Sequence, residues 1–217
     1  MLSKKSLYEQ INKKIYNPKN DKDDGLKCKG TTCDGYLTTY GEITFDGMNI
    51  VSDYVTKYRK LYPTKNKEKV FMDLGSGFGR FPIYKALFEL YDESHGIEIA
   101  DQRYSQAEAA RQILVNKKYP GATNIYFHNG SFLDPKYEPI INKASLIFIS
   151  NLCFDDTTQI DLFKTLNKNL PANCLIFCSK VMPSNDEVSF DRIKYVKEIT
   201  VPMTWYNDSK LNIYRIN

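Results

Sequence analysis

From Val70 onward the chain alternates short apolar runs with longer amphipathic stretches. The runs are VFMDL (70–74), HGIEI (95–99), NIYFHN (124–129), SLIFIS (145–150) and CLIFCS (174–179). Between them, residues 79–90, 101–118 and 156–169 read as helices. Runs such as LIFIS and CLIFC lack polar alternation, as expected of strands covered by helices on both faces. The rhythm predicts an α/β fold built on a mostly parallel sheet. The tail, YVKEITVPMTWYNDSKLNIYRI, changes character to two extended segments joined by a loop. These complete a set of seven strands and predict an antiparallel pair at one edge.

Upstream, SKKSLYEQINKKIY places Leu7, Ile11 and Ile15 at helical spacing, with Ser3 as the N-cap and Lys4, Lys5, Lys13 and Lys14 on the other faces. Residues 17–35 are rich in turn formers and charges and read as a linker. A helical period resumes through Ile50, Val51, Tyr54, Val55 and Tyr58 within 48–62. We therefore expect an N-terminal helix and basic linker over 1–35, followed by one domain over 36–217. A length of 217 residues suits that organisation.

Thirty basic against twenty-six acidic residues leave a net charge of +4, which permits an acidic partner without arguing for nucleic acid. There is no apolar run of membrane-spanning length, so a soluble, unsecreted protein without membrane contact is expected. The five cysteines are an odd number and too sparse for a disulfide framework, which fits a reducing compartment. Cys28 and Cys33 have no second Cys or His pair at ligand spacing, and His95 and His128 fall on predicted strands, so no metal site is expected.

The chemistry concentrates in DLGSGFGR (73–80). Gly75, Gly77 and Gly79 lie between an apolar strand and a helix, where a backbone without Cβ atoms can turn tightly and approach a ligand. In an open α/β sheet, ligands bind beyond the carboxyl ends of the strands, which puts one over this turn. The next strand ends in Glu98, placed to accept hydrogen bonds from both hydroxyls of a ribose. Two ribose-bearing cofactors compete, a nicotinamide dinucleotide and S-adenosylmethionine. A pyrophosphate would be repelled by Asp73, whereas an ammonium and a sulfonium would be attracted to it, so charge matching favours S-adenosylmethionine. Ser131 and Phe132, in GSFLD after the third strand, lie where the adenine should sit, and Phe132 is either a stacking face or a core residue. Arg80 either reaches the cofactor's carboxylate or forms a surface ion pair. FISNLCFDD ends the fourth strand opposite the reacting centre and brings Ser150, Asn151 and Phe154 there.

In order along the chain, TYGEITFD (39–46), FMDLGSGFGR, GIEIADQ, GSFLD, FISNLCFDD, FCSK and TWYNDSKLNIYRI resemble the Dot-one (disruptor of telomeric silencing) family, the non-SET histone-lysine methyltransferases, over about 36–217. The resemblance implies a Rossmann-like class I methyltransferase fold that uses S-adenosylmethionine and releases S-adenosylhomocysteine. Tyr40, with Glu42 beside it, would belong to a loop covering the methionine end of the cofactor. Asp73 and Gly75 would contact that end, Glu98 the ribose and Phe132 the adenine. Trp205, Tyr214 and Phe154 would wall a narrow channel for the substrate lysine.

Two positions depart from the family pattern. An asparagine pair is usual where this chain has Ser150-Asn151, so either residue could take the polar role. Two adjacent tyrosines are usual where it has Ile213-Tyr214, which leaves the register of Tyr214 open. The implied partner is a nucleosome, with a lysine of histone three as target, met by a monomeric enzyme in the nucleus or cytoplasm of a eukaryotic cell, a host cell included. Lys4, Lys5, Lys13, Lys14, Lys27 and Lys29 are candidates for DNA phosphate contact. The rivals are a methyltransferase for another protein or a small molecule, and an inactive chromatin-binding module.

Overall fold

A computed structural model describes residues 3–15, 32–33, 36–37, 41–63, 68–183 and 189–217, with only the backbone of 32, 33, 36 and 37. Tyr40, Lys27, Lys29, Cys28 and most of the predicted linker lie outside the described residues. Among the described residues six α-helices run in order: α1 (Lys4–Ile15), α2 (Phe45–Leu61), α3 (Arg80–Glu89), α4 (Asp101–Asn116), α5 (Glu138–Ile141) and α6 (Asp156–Asn169). The strands are β1 (Thr32–Cys33), β2 (Tyr36–Leu37), β3 (Val70–Leu74), β4 (Glu93–Glu98), β5 (Ile125–Asn129), β6 (Leu146–Ile149), β7 (Leu175–Cys178), β8 (Ile193–Val201) and β9 (Ser209–Ile216). β1 and β2 form a small antiparallel ribbon, and the other seven strands make one sheet in the order β5-β4-β3-β6-β7-β9-β8. Its first five strands are parallel, while β9 pairs antiparallel with both β7 and β8. The antiparallel edge expected from the tail is present.

The apolar runs are buried because successive side chains point into opposite layers. Phe71, Phe148 and Phe177 face one core with Met48, Val51 and Val55 of α2 and Phe81 and Tyr84 of α3. Their neighbours Met72, Ile147 and Ile176 face a second core with Ile141 of α5 and Leu162, Phe163 and Leu166 of α6. Ile125 and Phe127 of β5 join Ala107, Ala110 and Leu114 of α4 in a third cluster.

The helix starts have identifiable causes. Ser3 caps α1, its hydroxyl accepting from the Ser6 N–H at 3.1 Å. Thr44 caps α2 and Asp155 caps α6, each accepting an N–H of the first turn. Helix α1 docks on the domain through Tyr8 and Ile11, both buried, with Tyr8 packed against Phe45, Tyr84 and Phe88. This docking uses two of the lysines offered above as DNA contacts: Lys4 donates to the Tyr84 hydroxyl, and Lys5 pairs with Asp46 at 3.0 Å. Lys85 on α3 is fully buried, bonded to Ser52 and Glu89, and burial lowers its pKa to about 8.

Candidate active site

The strand order reverses between β3 and β6, and a crevice opens there beyond their carboxyl ends. The cleft encloses about 940 Å³ including its open mouth. Its wall contains Glu42, Asp73, Gly75, Gly77, Arg80, Glu98, Ser131, Phe132, Ser150 and Phe154. Residues drawn from separate stretches of sequence thus meet at one place.

The floor is the glycine turn. Gly75, Gly77 and Gly79 all have φ between +55° and +87°, a region that disfavours side chains. The N–H groups of Gly75 and Ser76 both bond the Ile97 carbonyl, at 2.9 and 3.0 Å, which hooks the turn onto β4. Gly79 is at the start of α3 and not in the cleft wall, and a Cβ there would lie 2.3 Å from the Phe127 ring. Its role is close packing of α3 on β5, rather than the ligand contact expected of it.

Glu98 is 5% exposed, and both carboxylate oxygens accept backbone N–H groups: Gly77 at 2.8 Å and Ala100 at 2.9 Å. Burial raises its pKa, opposed by these bonds and by the positive charge of Arg103. The carboxylate therefore locks turn to strand while keeping lone pairs for hydroxyls in the cleft. Asp73 is also buried, and no donor among the described residues bonds its carboxylate. Burial, then the nearby charges of Glu42 and Glu98, push its pKa well up. A buried carboxylate to which no cation among the described residues bonds is suited to a cationic ligand. Glu42 forms an ion pair with Arg80 at the cleft wall, both side chains largely buried, so Arg80 is not the surface pair that was one of its two readings.

At the opposite wall the neighbouring residues Ser150 and Asn151 are placed differently. Ser150 lines the cleft, whereas Asn151 is fully buried, its amide donating to Gln159 at 2.7 Å and its oxygen accepting the Lys180 N–H at 2.9 Å. Asn151 braces the loop and does not reach the cleft. Phe154 stacks on Phe132, with centroids 5.5 Å apart, and its ring tip faces Gly75.

Tyr214 corrects an expectation. On β9 it faces the α6 core, 2% exposed, against Phe163, with its oxygen accepting the Met182 N–H at 2.9 Å. It is absent from the cleft wall because strand alternation turns it toward α6. Trp205 stands at the rim: 43% exposed, its six-membered ring covers Gly41, which lines the cleft. Sequence reasoning missed Arg103 and Thr158, both buried in the wall, and Asp155, which caps α6 beside them. Each is a polar position at the first turn of a helix that follows a site strand, the one signal that could have found them.

A family model described as histone methylation protein DOT1 matches residues 34–209. The chain belongs to the DOT1 family. It is 29% identical over 128 residues to a Caenorhabditis elegans protein named as an H3 lysine-79 specific histone-lysine N-methyltransferase. That match covers 57% of this chain and only 14% of the relative, so the chain spans a small part of that protein's length. Among solved structures, a putative methylase of Haemophilus influenzae superposes with a TM-score of 0.52 at 16% identity, covering 76% of this chain and 88% of that one. A putative methyltransferase of Escherichia coli gives 0.52 at 13% identity, with coverages of 78% and 85%. These likenesses establish the class I methyltransferase fold of this DOT1-family chain.

Gly41 in this DOT1-family chain gives a direct test of the rim. A Cβ there would lie 2.2 Å from Trp205 Cε3. We expect Gly41→Ala to swing the half-exposed indole outward with little loss of stability, and to slow turnover by about tenfold or more if the rim positions substrate. Trp205 is the only tryptophan, so a red shift of the emission reads the displacement directly. Unchanged emission together with unchanged turnover would remove Trp205 from the site.

Proposed function

We propose that this chain is an S-adenosylmethionine-dependent methyltransferase acting on a lysine side chain of a nucleosomal core histone, with histone three as the first candidate. The observation that carries the reading is the pair of buried carboxylates, Asp73 and Glu98, flanking a glycine turn at the switch point of a DOT1-family chain. The histone-three assignment is supported by the name of the Caenorhabditis elegans relative.

The residues present fit the cofactor. Asp73 supplies a buried carboxyl whose ionised form the ammonium end would stabilise, Glu98 retains acceptor capacity for ribose hydroxyls, and Ser131 and Phe132 offer an edge and a face for adenine. When bound, the cofactor supplies an electrophilic methyl group on a sulfonium. Phe81, Phe148, Phe154 and Ile43 add apolar surface to the wall, which limits the water around a bound substrate. A substrate lysine entering such a cleft is desolvated, which lowers its pKa and favours the neutral, nucleophilic amine. No dedicated base is then required. Aromatic faces at Phe154 and Trp205 favour the cationic centre as the amine aligns for in-line attack, so positioning and desolvation carry the rate. Ser150 is the polar group of the β6 end that faces this space.

The deciding experiment offers labelled S-adenosylmethionine with intact nucleosomes, histone octamer and free histone tails in parallel, with Glu98→Ala as control. Label on nucleosomes that disappears in the variant supports the proposal. Label on none of these substrates, with cofactor binding intact, would sink the histone assignment and leave a different acceptor or an inactive binder.

A further inference from the structure

The loop from Ser150 to Asp155 carries both cleft residues contributed by the end of β6, Ser150 and Phe154. It is fastened from a neighbouring strand. Lys180, two residues past the end of β7, donates its backbone N–H to Asn151 Oδ1 at 2.9 Å. Its ammonium reaches the Phe154 carbonyl at 3.2 Å and Asp156 Oδ1 at 3.1 Å. One residue thus grips the loop at both ends, and Asn151 passes the first grip to Gln159 of α6 at 2.7 Å. Phe154, held this way, places its ring between Gly75 of the glycine turn and Phe132 of the adenine loop.

The ion pair with Asp156 contributes little to stability. The Lys180 and Asp156 side chains are 38% and 89% exposed, and pairs in such positions contribute little to folding. The bond to the Phe154 carbonyl is different, because a charge-assisted bond to the backbone of a cleft residue fixes where its ring sits. We propose that Lys180 is a positioning residue of the methyl-transfer site, clamping the loop so that Phe154 and Ser150 face the reacting centre. The role rests on the proposed function, since a clamp matters to turnover only if methyl transfer occurs there.

The test compares Lys180→Met, Lys180→Arg and Asp156→Asn in the full chain. Lys180→Met should lower kcat by about tenfold while cofactor affinity stays within about twofold, because it releases the Phe154 end of the loop, keeps the backbone bond to Asn151 and leaves Asp73 and Glu98 untouched. Lys180→Arg should restore most of the rate. Asp156→Asn removes only the exposed pair and should behave as wild type. Amide hydrogen exchange across 150–156 reads the clamp without turnover, and should speed up in Lys180→Met alone. Unchanged exchange and unchanged kcat in Lys180→Met would overturn the proposal. So would equal losses of kcat, cofactor affinity and melting temperature, which mark a merely structural residue. If the wild-type protein binds cofactor yet transfers no methyl, the proposed function and the role in turnover both fall, and the exchange data alone decide whether the clamp exists.

Discussion

Glu98→Ala is expected to weaken S-adenosylmethionine binding by about 100-fold and to take methyl transfer below detection at ordinary cofactor concentrations. The magnitude follows from hydrogen bonds to a charged partner, each about 1.5–3 kcal/mol, with each 1.4 kcal/mol worth about tenfold. The variant also leaves the Gly77 and Ala100 N–H groups without the acceptors that hold them in the folded protein. An unsatisfied buried donor costs about 1–3 kcal/mol, so the melting temperature should fall too. Glu98→Gln separates charge from shape less well than usual. Both oxygens accept N–H groups, so an amide must aim its NH2 at one of them, and we expect a loss nearly as large. Titration calorimetry below the melting temperature of each variant checks this. Glu98→Gln binding as tightly as wild type would show that the ribose is held elsewhere.

How far the site could be read in the sequence depended on whether a residue's role is local. The positions of the glycine turn, Asp73 and Glu98 were legible because they lie at or beside the carboxyl ends of β3 and β4, where an open α/β sheet forms its cleft whatever the rest of the fold does. The seven strands were legible for a similar reason: runs such as LIFI and LIFC leave no polar face for water. Choices between adjacent residues were not legible. Ser150 and Asn151 are both small and polar, and only the packing of α6 and β7 shows that one faces the cleft and the other Gln159 and Lys180. Tyr214 failed likewise, since alternation along β9 gives two faces and the sequence does not say which meets α6. The Glu42–Arg80 pair joins residues 38 apart across two elements, and nothing local announces it.

The N-terminal helix shows the same limit from another side. Its lysines read as a solvent-facing basic face, yet Lys4 lies 4.4 Å from the Tyr84 ring centre and bonds its hydroxyl. Lysine stems routinely cover apolar surface while the ammonium finds a partner, so a count of charges along a helix does not measure what remains for DNA.

Asp73→Asn is expected to stabilise the ligand-free protein at neutral pH and to impair it as an enzyme. The folded carboxyl has a pKa raised well above its ordinary value of 3.8, chiefly by burial and then by Glu42 and Glu98. Between 3.8 and that raised value the folded state holds a proton that the unfolded state has released. Stability from this group is therefore fully present below pH 3.8 and is lost as pH rises through the folded pKa, at about 1.4 kcal/mol for each pH unit that separates the folded and unfolded values. The melting-temperature advantage of Asp73→Asn over wild type should thus grow as pH rises through the raised folded pKa and shrink toward about pH 4. Cofactor affinity should move the other way. A cationic ligand binds the ionised carboxylate, so wild-type affinity falls on acidification, and Asp73→Asn loses about 10- to 100-fold at neutral pH, as removal of one charged partner implies. Calorimetry in buffers of different ionisation enthalpy would then show more protons released on binding to wild type than to the variant. Equal proton release and equal affinity would mean that Asp73 does not face the cationic end of the ligand. A gain in stability paired with a loss of affinity would identify Asp73 as strain kept in the fold for the sake of binding.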